Sequence, residues 1–295
     1  MTQENKTNLF VVGAMKAGTT SFIDLLSQHA DIYSPPVKEP HYFIDRLPLS
    51  LYDPGRFFSL DDYFENQFPD PLHIAKIETS QQYAKAYSLS GTKPYKLDAS
   101  TAYLHAPESA SAIRAYNSEA KIIILLRDPI KRAFSHYKMD LGKGRITNSF
   151  EEVINENIDA YEKGQLLWYS HLGMSFYKSP KDRFENLFSD VLVVQFDDLI
   201  KRQDEVLSEI ASFLAIEDFK NIEVEHKNRA RKPLFPKLFY LLKQLGLKDY
   251  FSKIFSSTFK QWLARKTSSD ATFEMELTDA TRIKLNQIFN KESQI

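Results

Sequence analysis

Apolar positions along the chain fall into two alternating patterns. Short continuous runs occur over residues 8–12, around Phe10-Val11-Val12, over 121–126 in Ile122-Ile123-Ile124-Leu125-Leu126, and over 191–196 in Val191-Leu192-Val193-Val194. Runs of this length, rich in Val and Ile and bounded by polar residues, predict strands buried on both faces. Between them, apolar residues recur at helical spacing. Phe22, Leu25, Leu26 and His29 form one set, and Leu60, Tyr63, Phe64 and Phe68 a second that ends near Pro69. A helix over 107–118 is opened by Pro107, and another stretch runs from Asp197-Asp198 to Phe213-Leu214. Asp128 is a good helix cap and Pro129 a good first helical residue. Pro35-Pro36 makes 31–37 loop or extended chain, and the polar, tyrosine-rich stretch 75–95 yields no element. Strands alternating with helices predict an α/β fold with a central parallel sheet and helices on both faces.

The end of the first strand carries the first chemistry. It runs into Gly13-Ala14-Met15-Lys16-Ala17-Gly18-Thr19-Thr20-Ser21. Gly13 and Gly18 permit backbone conformations and close approaches that a side chain forbids. Inward-facing N–H groups and a helix N-terminus hold an anion, to which Thr19, Thr20 and Ser21 add hydroxyls and Lys16 a full charge. This makes the fold a three-layer, P-loop-like one. Lys16 precedes the second glycine, however, whereas the nucleoside triphosphate loop ends in Gly-Lys-Ser/Thr. The order predicts a different nucleotide.

Arg127 follows the 121–126 strand at its carboxyl end, where open α/β sheets bind ligands. Ser135 lies eight residues on, about two turns into the next helix. The two can share one anion; alternatively Arg127 pairs with a nearby acid and Ser135 is an incidental helix serine. Taken with the first loop, a second anion site implies a nucleotide phosphorylated at two positions. A third segment, Lys38-Glu39-Pro40-His41-Tyr42-Phe43, offers Glu39 as a general base near a bound anion, with His41 on the same side of an extended chain. A solvated loop with an exposed acid is the alternative there.

Charge and composition narrow the picture. Lys and Arg total 38 against 39 acids, and there is no cysteine, hence no disulfide and no thiolate metal site or nucleophile. Asp, Glu and His are not densely clustered along the sequence, so no metal is expected. The near-balanced charge excludes neither class of partner, and no nucleic-acid partner is expected. The first residues lack the pattern of a signal peptide and no apolar run approaches a membrane span, which together predict a soluble cytoplasmic protein. Residues 231–266 differ from the rest, with nine Lys or Arg and one acid, Asp249. There Phe251, Ile254, Phe255, Phe259, Trp262 and Leu263 fit one helical face of a basic amphipathic segment. That segment has three readings: helices packed on the domain, attraction to an anionic polysaccharide, or contact with an anionic membrane surface.

In this order, the motifs resemble those of sulfotransferases that use 3′-phosphoadenosine 5′-phosphosulfate (PAPS), closest to the heparan sulfate and bacterial carbohydrate branch. Leu60-x-x-Tyr63-Phe64-x-x-x-Phe68, Asp98-Ala99-Ser100-Thr101-Ala102-Tyr103-Leu104 and Val193-Val194-Gln195-Phe196-Asp197-Asp198-Leu199 add to the likeness, which spans most of the chain. The resemblance implies a single domain over 1–295 that moves a sulfuryl group from PAPS to an acceptor hydroxyl on a glycan or glycolipid. It implies that Lys16, Ala17, Gly18, Thr19, Thr20 and Ser21 bind the 5′-phosphosulfate, with Lys16 at the leaving oxygen. Arg127 and Ser135 are implied at the 3′-phosphate, Glu39 as base with His41 supporting it, and Asn228, Arg231 and Lys232 in a segment closing over the nucleotide. Animal relatives carry a lysine where this chain has Ala99; Lys96 is the nearest substitute. Asp45, one residue beyond the place where those enzymes often carry an acid, has no assigned role.

Two other functions compete. A P-loop kinase or NTPase would use Val191–Asp197 as strand plus magnesium-holding acid. A nucleotide-binding module without chemistry would bind the desulfated nucleotide and transfer nothing. For the acceptor, Tyr83, Tyr87, Tyr95, Tyr103 and Trp168 are the aromatic residues available for stacking on sugar rings.

Overall fold

The computed structural model of the protein describes residues 6–220, 232–233, 235–246, 267–269 and 274–294. These divide into two compact units. The first takes in residues up to Tyr52, Ser59–Asp128 and Phe176–Lys227; the second takes in Asp53–Phe58, Pro129–Ser175 and the chain from Asn228 on.

The first unit is built on a five-stranded parallel sheet. Its strands are β1 (Leu9–Gly13), β2 (Ile32–Tyr33), β5 (Tyr95–Asp98), β6 (Lys121–Leu126) and β7 (Val191–Gln195) in the spatial order β2-β5-β1-β6-β7. All five residues of β1 are buried, as are the last five of β6, which explains their unbroken apolar character. Alternating with the strands are the helices α1 (Thr19–Leu26), α3 (Ser80–Ala86), α4 (Ser109–Tyr116), α7 (Lys178–Leu187), α8 (Phe196–Lys201) and α9 (Gln203–Leu214). Because β1 is central and the chain crosses from β5 on one side of it to β6 on the other, the loop after β1 lies at the point where strand order reverses. A second, two-stranded parallel sheet pairs β3 (Val37–Glu39) with β4 (Leu72–Ile74), placing Glu39 opposite Ile74.

Residues 31–37 are extended chain in part, as expected, holding β2 and the start of β3. Other local expectations change. α1 stops at Leu26, so His29 lies beyond the helix. The set from Leu60 to Phe68 is a single turn, α2 (Leu60–Asp62), running into a π-helical turn over Tyr63–Gln67. The stretch 75–95 contains α3, opened by a reciprocal cap between Thr79 and Gln82. The helical run after β7 is broken at Arg202 into α8 and α9.

The second unit contains α5 (Pro129–Gly142), α6 (Phe150–Glu162), α10 (Pro236–Gln244) and α11 (Asp279–Gln294), with a two-residue antiparallel pair of β8 (Lys232–Pro233) and β9 (Ser268–Ser269). A Ser149–Glu152 capping box opens α6, and Tyr161 on α6 donates to Glu292 on α11 at 2.8 Å. Much of the basic segment 231–266 lies outside the described residues, including Arg231 and the apolar set from Phe251 to Leu263.

Candidate active site

The loop after β1 is held by unusual backbone. Gly13 has φ +155°, and a Cβ there would lie 2.8 Å from Leu104 Cβ and 2.9 Å from the Thr101 carbonyl oxygen. Gly18 has φ +91°, and its Cβ would fall 2.3 Å from the Phe196 ring. Glycine is required at both positions by conformation and by space. Between them, Lys16 itself takes φ +71°, in the left-handed region costly for a side-chain-bearing residue. The Ala14 N–H donates to the Leu125 carbonyl at 2.6 Å, and the Ala17 N–H returns to the Ala14 carbonyl at 3.0 Å. Gly18 stands at the N-cap of α1 and offers no side-chain cap, which leaves first-turn N–H groups open to an outside acceptor. Ala17 and Thr19 are buried; Thr20 and Ser21 are half-buried.

Arg127, just past β6, is bound into this loop. Its Nη1 donates to the Lys16 carbonyl at 3.2 Å, and its guanidinium lies 4.9 Å over the Phe196 ring. Its Nε is buried and, among the described residues, has no hydrogen-bond partner. An unsatisfied guanidinium N–H beside a glycine-flanked loop and an uncapped helix is a donor set suited to a phosphorylated anion. Phe196, in sequence only part of a recurring segment, packs against Gly18 and under the Arg127 guanidinium, a role that spacing along the chain does not reveal.

Glu39 ends β3 and is 9% exposed. Thr101 donates to Glu39 Oε2 twice, from Oγ1 at 2.8 Å and from its N–H at 3.3 Å. His41 Nε2 stands 3.6 Å from the same oxygen. His41 is not in extended chain as expected: its φ is +46°, and this turn keeps its ring beside Glu39. Its Nδ1 faces the Glu39 carbonyl at 3.2 Å and the Ala75 carbonyl at 3.4 Å. Carbonyl oxygens only accept, so the proton belongs on Nδ1 and Nε2 carries the lone pair. Burial holds the His41 pKa below the usual imidazole value, against the raising effect of Glu39. The ring is therefore neutral at neutral pH.

Segment 98–104 joins the two halves. The Thr101 carbonyl oxygen bounds the space at Gly13, while the Thr101 hydroxyl holds Glu39. The Leu104 N–H donates to the Val12 carbonyl at 2.7 Å. The anion loop and the carboxylate are thus built on one short stretch of backbone.

Other sequence expectations need correction. Lys96 does not replace the lysine absent at Ala99. Its N–H bonds Asn8 Oδ1, at the amino-terminal edge of β1, about 16 Å of strand away from the loop that follows Gly13. Lys96 instead lines a cavity of about 280 Å³ with Thr7, Tyr83, Tyr87 and Tyr116. Lys76 is the cation whose charge reaches His41. Burial holds its own pKa below the usual lysine value, opposed by Glu78 and Asp45. Tyr83, Tyr87 and Tyr103 are core residues, 6% exposed or less, and are not available to a sugar. Tyr95 donates to the Leu214 carbonyl. Tyr42 is half-buried and stacks on Tyr83, with ring centroids 4.4 Å apart. Asp197, the acid of the strand-plus-magnesium reading, is exposed in the first turn of α8, and its neighbour Asp198 pairs with Arg202 at 3.1 Å.

In the second unit, Ser135 is half-buried on α5, Trp168 is half-buried in the connection after α6, and Lys232 begins β8. The second unit also gathers side chains that are scattered in sequence: ligand-type atoms of His136, Asp140 and His171 lie within 4.8 Å of one another. Arg145 pairs with Asp140 at 2.9 Å, and Arg132 Nη1 lies 3.5 Å from His136 Nδ1. A guanidinium only donates, which puts the His136 proton on Nε2, 3.4 Å from Asp140 Oδ2. Burial pushes the Asp140 pKa up, but His171 and Arg145 hold it below the usual carboxylate range. Two guanidinium groups against one carboxylate leave this network net positive, a poor fit to a divalent cation.

Fold and site together define an α/β protein with a glycine-flanked loop suited to a phosphorylated anion at its strand-order switch and a buried carboxylate linked to it through Thr101. A sequence model of the sulfotransferase family matches residues 8–221, and the chain belongs to that family. Mouse (Mus musculus) carbohydrate sulfotransferase 15 is 25% identical over 177 residues, 54% of this chain and 32% of that protein. The membrane-associated sulfotransferase kil1 of Dictyostelium discoideum is 26% identical over 161 residues, covering 52% and 29% of the two chains. The chain thus spans about a third of the length of these curated relatives. Among solved structures, a sulfotransferase from Alicyclobacillus acidocaldarius superposes with a TM-score of 0.58 at 27% identity, over 83% of this chain and 92% of that one.

Proposed function

We propose that the protein transfers a sulfuryl group from PAPS to an acceptor hydroxyl, with Glu39 as general base. The observation that carries this is the double role of Thr101, which holds the Glu39 carboxylate and bounds the anion loop at Gly13. PAPS supplies the sulfuryl group and the leaving phosphate. On the protein side, the loop from Lys16 to Ser21 holds the 5′-phosphosulfate through N–H groups and hydroxyls. Lys16 neutralises charge at the departing oxygen, and Arg127 directs its unsatisfied donor to the 3′-phosphate. Fixed donors aimed at developing charge are the largest single source of rate enhancement in such reactions. Glu39 accepts the acceptor's proton, and neutral His41 offers its Nε2 lone pair to the carboxyl group that results. The parts given to Ser135, Arg231 and Lys232, and the single-domain reading of 1–295, rest on the family resemblance alone.

The acceptor we propose is a glycan or glycolipid, as the names of the carbohydrate sulfotransferase relatives suggest. Peripheral membrane contact belongs to the same proposal. On and beside α10, Phe235, Leu238, Leu241 and Leu245 are each more than half exposed, in a segment rich in lysine. A cytoplasmic site at the inner membrane face completes it. Among the described residues no helix is long and apolar enough to cross a membrane. The decisive experiment is to incubate the protein with sulfur-labelled PAPS and a cell-envelope extract and identify what is labelled. Labelled polysaccharide or glycolipid is the expected result. Label confined to free sulfate would leave a module without transfer activity. Co-sedimentation with liposomes that contain acidic lipid, and not with neutral ones, tests the membrane contact.

A further inference from the structure

We infer that Asp98 is a positioning residue for the catalytic carboxylate: it fixes, through Ser100 and Tyr103, the backbone of the loop that follows Glu39. The inference rests on the proposed role of Glu39 as base.

Asp98 ends β5 and is fully buried. Its Oδ1 accepts the Ser100 N–H at 3.1 Å and the Ser100 hydroxyl at 2.7 Å. Its Oδ2 accepts the hydroxyls of Tyr83 at 2.9 Å and Tyr103 at 3.0 Å. Two of these donors have a second task. Ser100 Oγ accepts the His41 N–H at 2.8 Å, and Tyr103 Oη accepts the Phe43 N–H at 3.2 Å. Two arms therefore run from one carboxylate to the loop, one ending on His41 and the other on Phe43.

The direction of every bond follows from the charge. A carboxylate only accepts, so both hydroxyl protons turn toward Asp98 and both hydroxyl lone pairs turn toward the loop amides. Without the carboxylate, either hydroxyl is free to rotate its proton toward the loop and meet an N–H head-on. The loop needs this control because His41 sits at φ +46°, a conformation that persists only where its surroundings over-determine it. Glu39 is two residues upstream, and its own Oε2 is gripped by Thr101, three residues beyond Asp98. One short segment thus sets both the carboxylate and the strained residue beside it. Burying an ionised carboxylate is costly, and four convergent donors offset that cost. The ionisable groups facing Asp98 are Tyr83, Tyr87, Tyr103 and Tyr116, all of which burial pushes above the usual tyrosine value. None of them titrates in the acid range.

The test is Asp98→Asn in the full chain, beside Glu39→Gln, with sulfur-labelled PAPS and cell-envelope extract as substrates and PAP binding measured by calorimetry. Asp98→Asn is expected to lower kcat about tenfold or more while PAP affinity stays within about twofold, because misplacing a reacting group mainly affects turnover. Burial raises the Asp98 pKa to about 6, so a fall of wild-type kcat as pH drops through that value, absent from Asp98→Asn, is the expected difference between the two profiles. Adding Asp98→Asn to the Ser100→Ala/Tyr103→Phe pair should cost nothing further, since the same arms are already cut. If Asp98→Asn does not fold, Ser100→Ala and Tyr103→Phe carry the test separately, each giving part of the loss in kcat at unchanged PAP affinity. Wild-type kcat and an unchanged acid limb in Asp98→Asn, or full kcat in both single-arm variants, would overturn the inference. Unchanged turnover in Glu39→Gln would instead remove the base, a distinct failure.

Discussion

Thr101 holds Glu39 Oε2 with two donors, its hydroxyl at 2.8 Å and its amide at 3.3 Å, while its carbonyl oxygen bounds the space at Gly13. One residue therefore sets the separation between a carboxylate and a phosphate-type loop. Position matters here more than acidity, because a base must lie within hydrogen-bond reach of the proton it removes.

Two substitutions separate the carboxylate from its support. Glu39→Gln keeps shape and removes the base, and turnover should fall by roughly 10²–10⁴. Thr101→Val keeps volume and the amide bond but removes the hydroxyl. A hydrogen bond to a charged group contributes about 1.5–3 kcal/mol, so kcat should fall about 10- to 100-fold. Calorimetric titration with PAP should show near wild-type affinity in both. A Thr101→Val enzyme with full kcat would mean the amide alone positions Glu39.

Lys16 and Arg127 should separate differently. Arg127 holds the loop through the Lys16 carbonyl and offers its buried Nε to a ligand. Arg127→Lys keeps the charge but loses the planar fork, so PAP affinity should drop with a smaller change in kcat. Lys16→Ala should lose turnover and much of the PAP affinity together. Comparable losses of kcat alone in both variants would argue against two separate phosphate contacts.

Gly18 offers a sharper structural test. A methyl group there would fall 2.3 Å from Phe196 Cε2, and φ is +91°. Gly18→Ala should therefore abolish PAP binding. Adding Phe196→Ala removes the clash but leaves the left-handed backbone, which costs about 1–2 kcal/mol. The double variant should recover part of the stability in a thermal melt. PAP binding should not return fully, because Phe196 also carries the Arg127 guanidinium.

The central strands were legible because their both-face burial writes itself as unbroken apolar runs, as in β1 and β6. The glycine loop was legible because its conformational demands leave few residue types. The small sheet of β3 and β4 was not, since strands of three residues leave no periodicity. The Thr79-x-x-Gln82 cap of α3 was present in the sequence but hidden by its polar surroundings. Thr101, Phe196 and Asp98 owe their roles to contacts across the fold: Thr101 meets Glu39 from 62 residues away. A threonine, a phenylalanine and a buried acid carry no local sign of such contacts. The tyrosines misled for the same reason, since a hydroxyl paired in the core and one facing a sugar look alike in sequence.

Asp98 also predicts a pH dependence of stability. Burial raises its pKa from the ordinary 3.8 to about 6, even though Ser100, Tyr83 and Tyr103 donate to it. Between those two values the folded protein keeps a proton that the unfolded chain has released. Its contribution to stability is therefore full below about pH 4, falls as pH rises toward 6, and is level above that. A shift of about two units corresponds to roughly 3 kcal/mol across the window. Asp98→Asn removes the titration, so the stability difference between variant and wild type in urea unfolding should move in favour of the variant by up to that amount between pH 4 and pH 6.5. A difference that stays constant over that range would place the Asp98 pKa near that of an ordinary carboxylate.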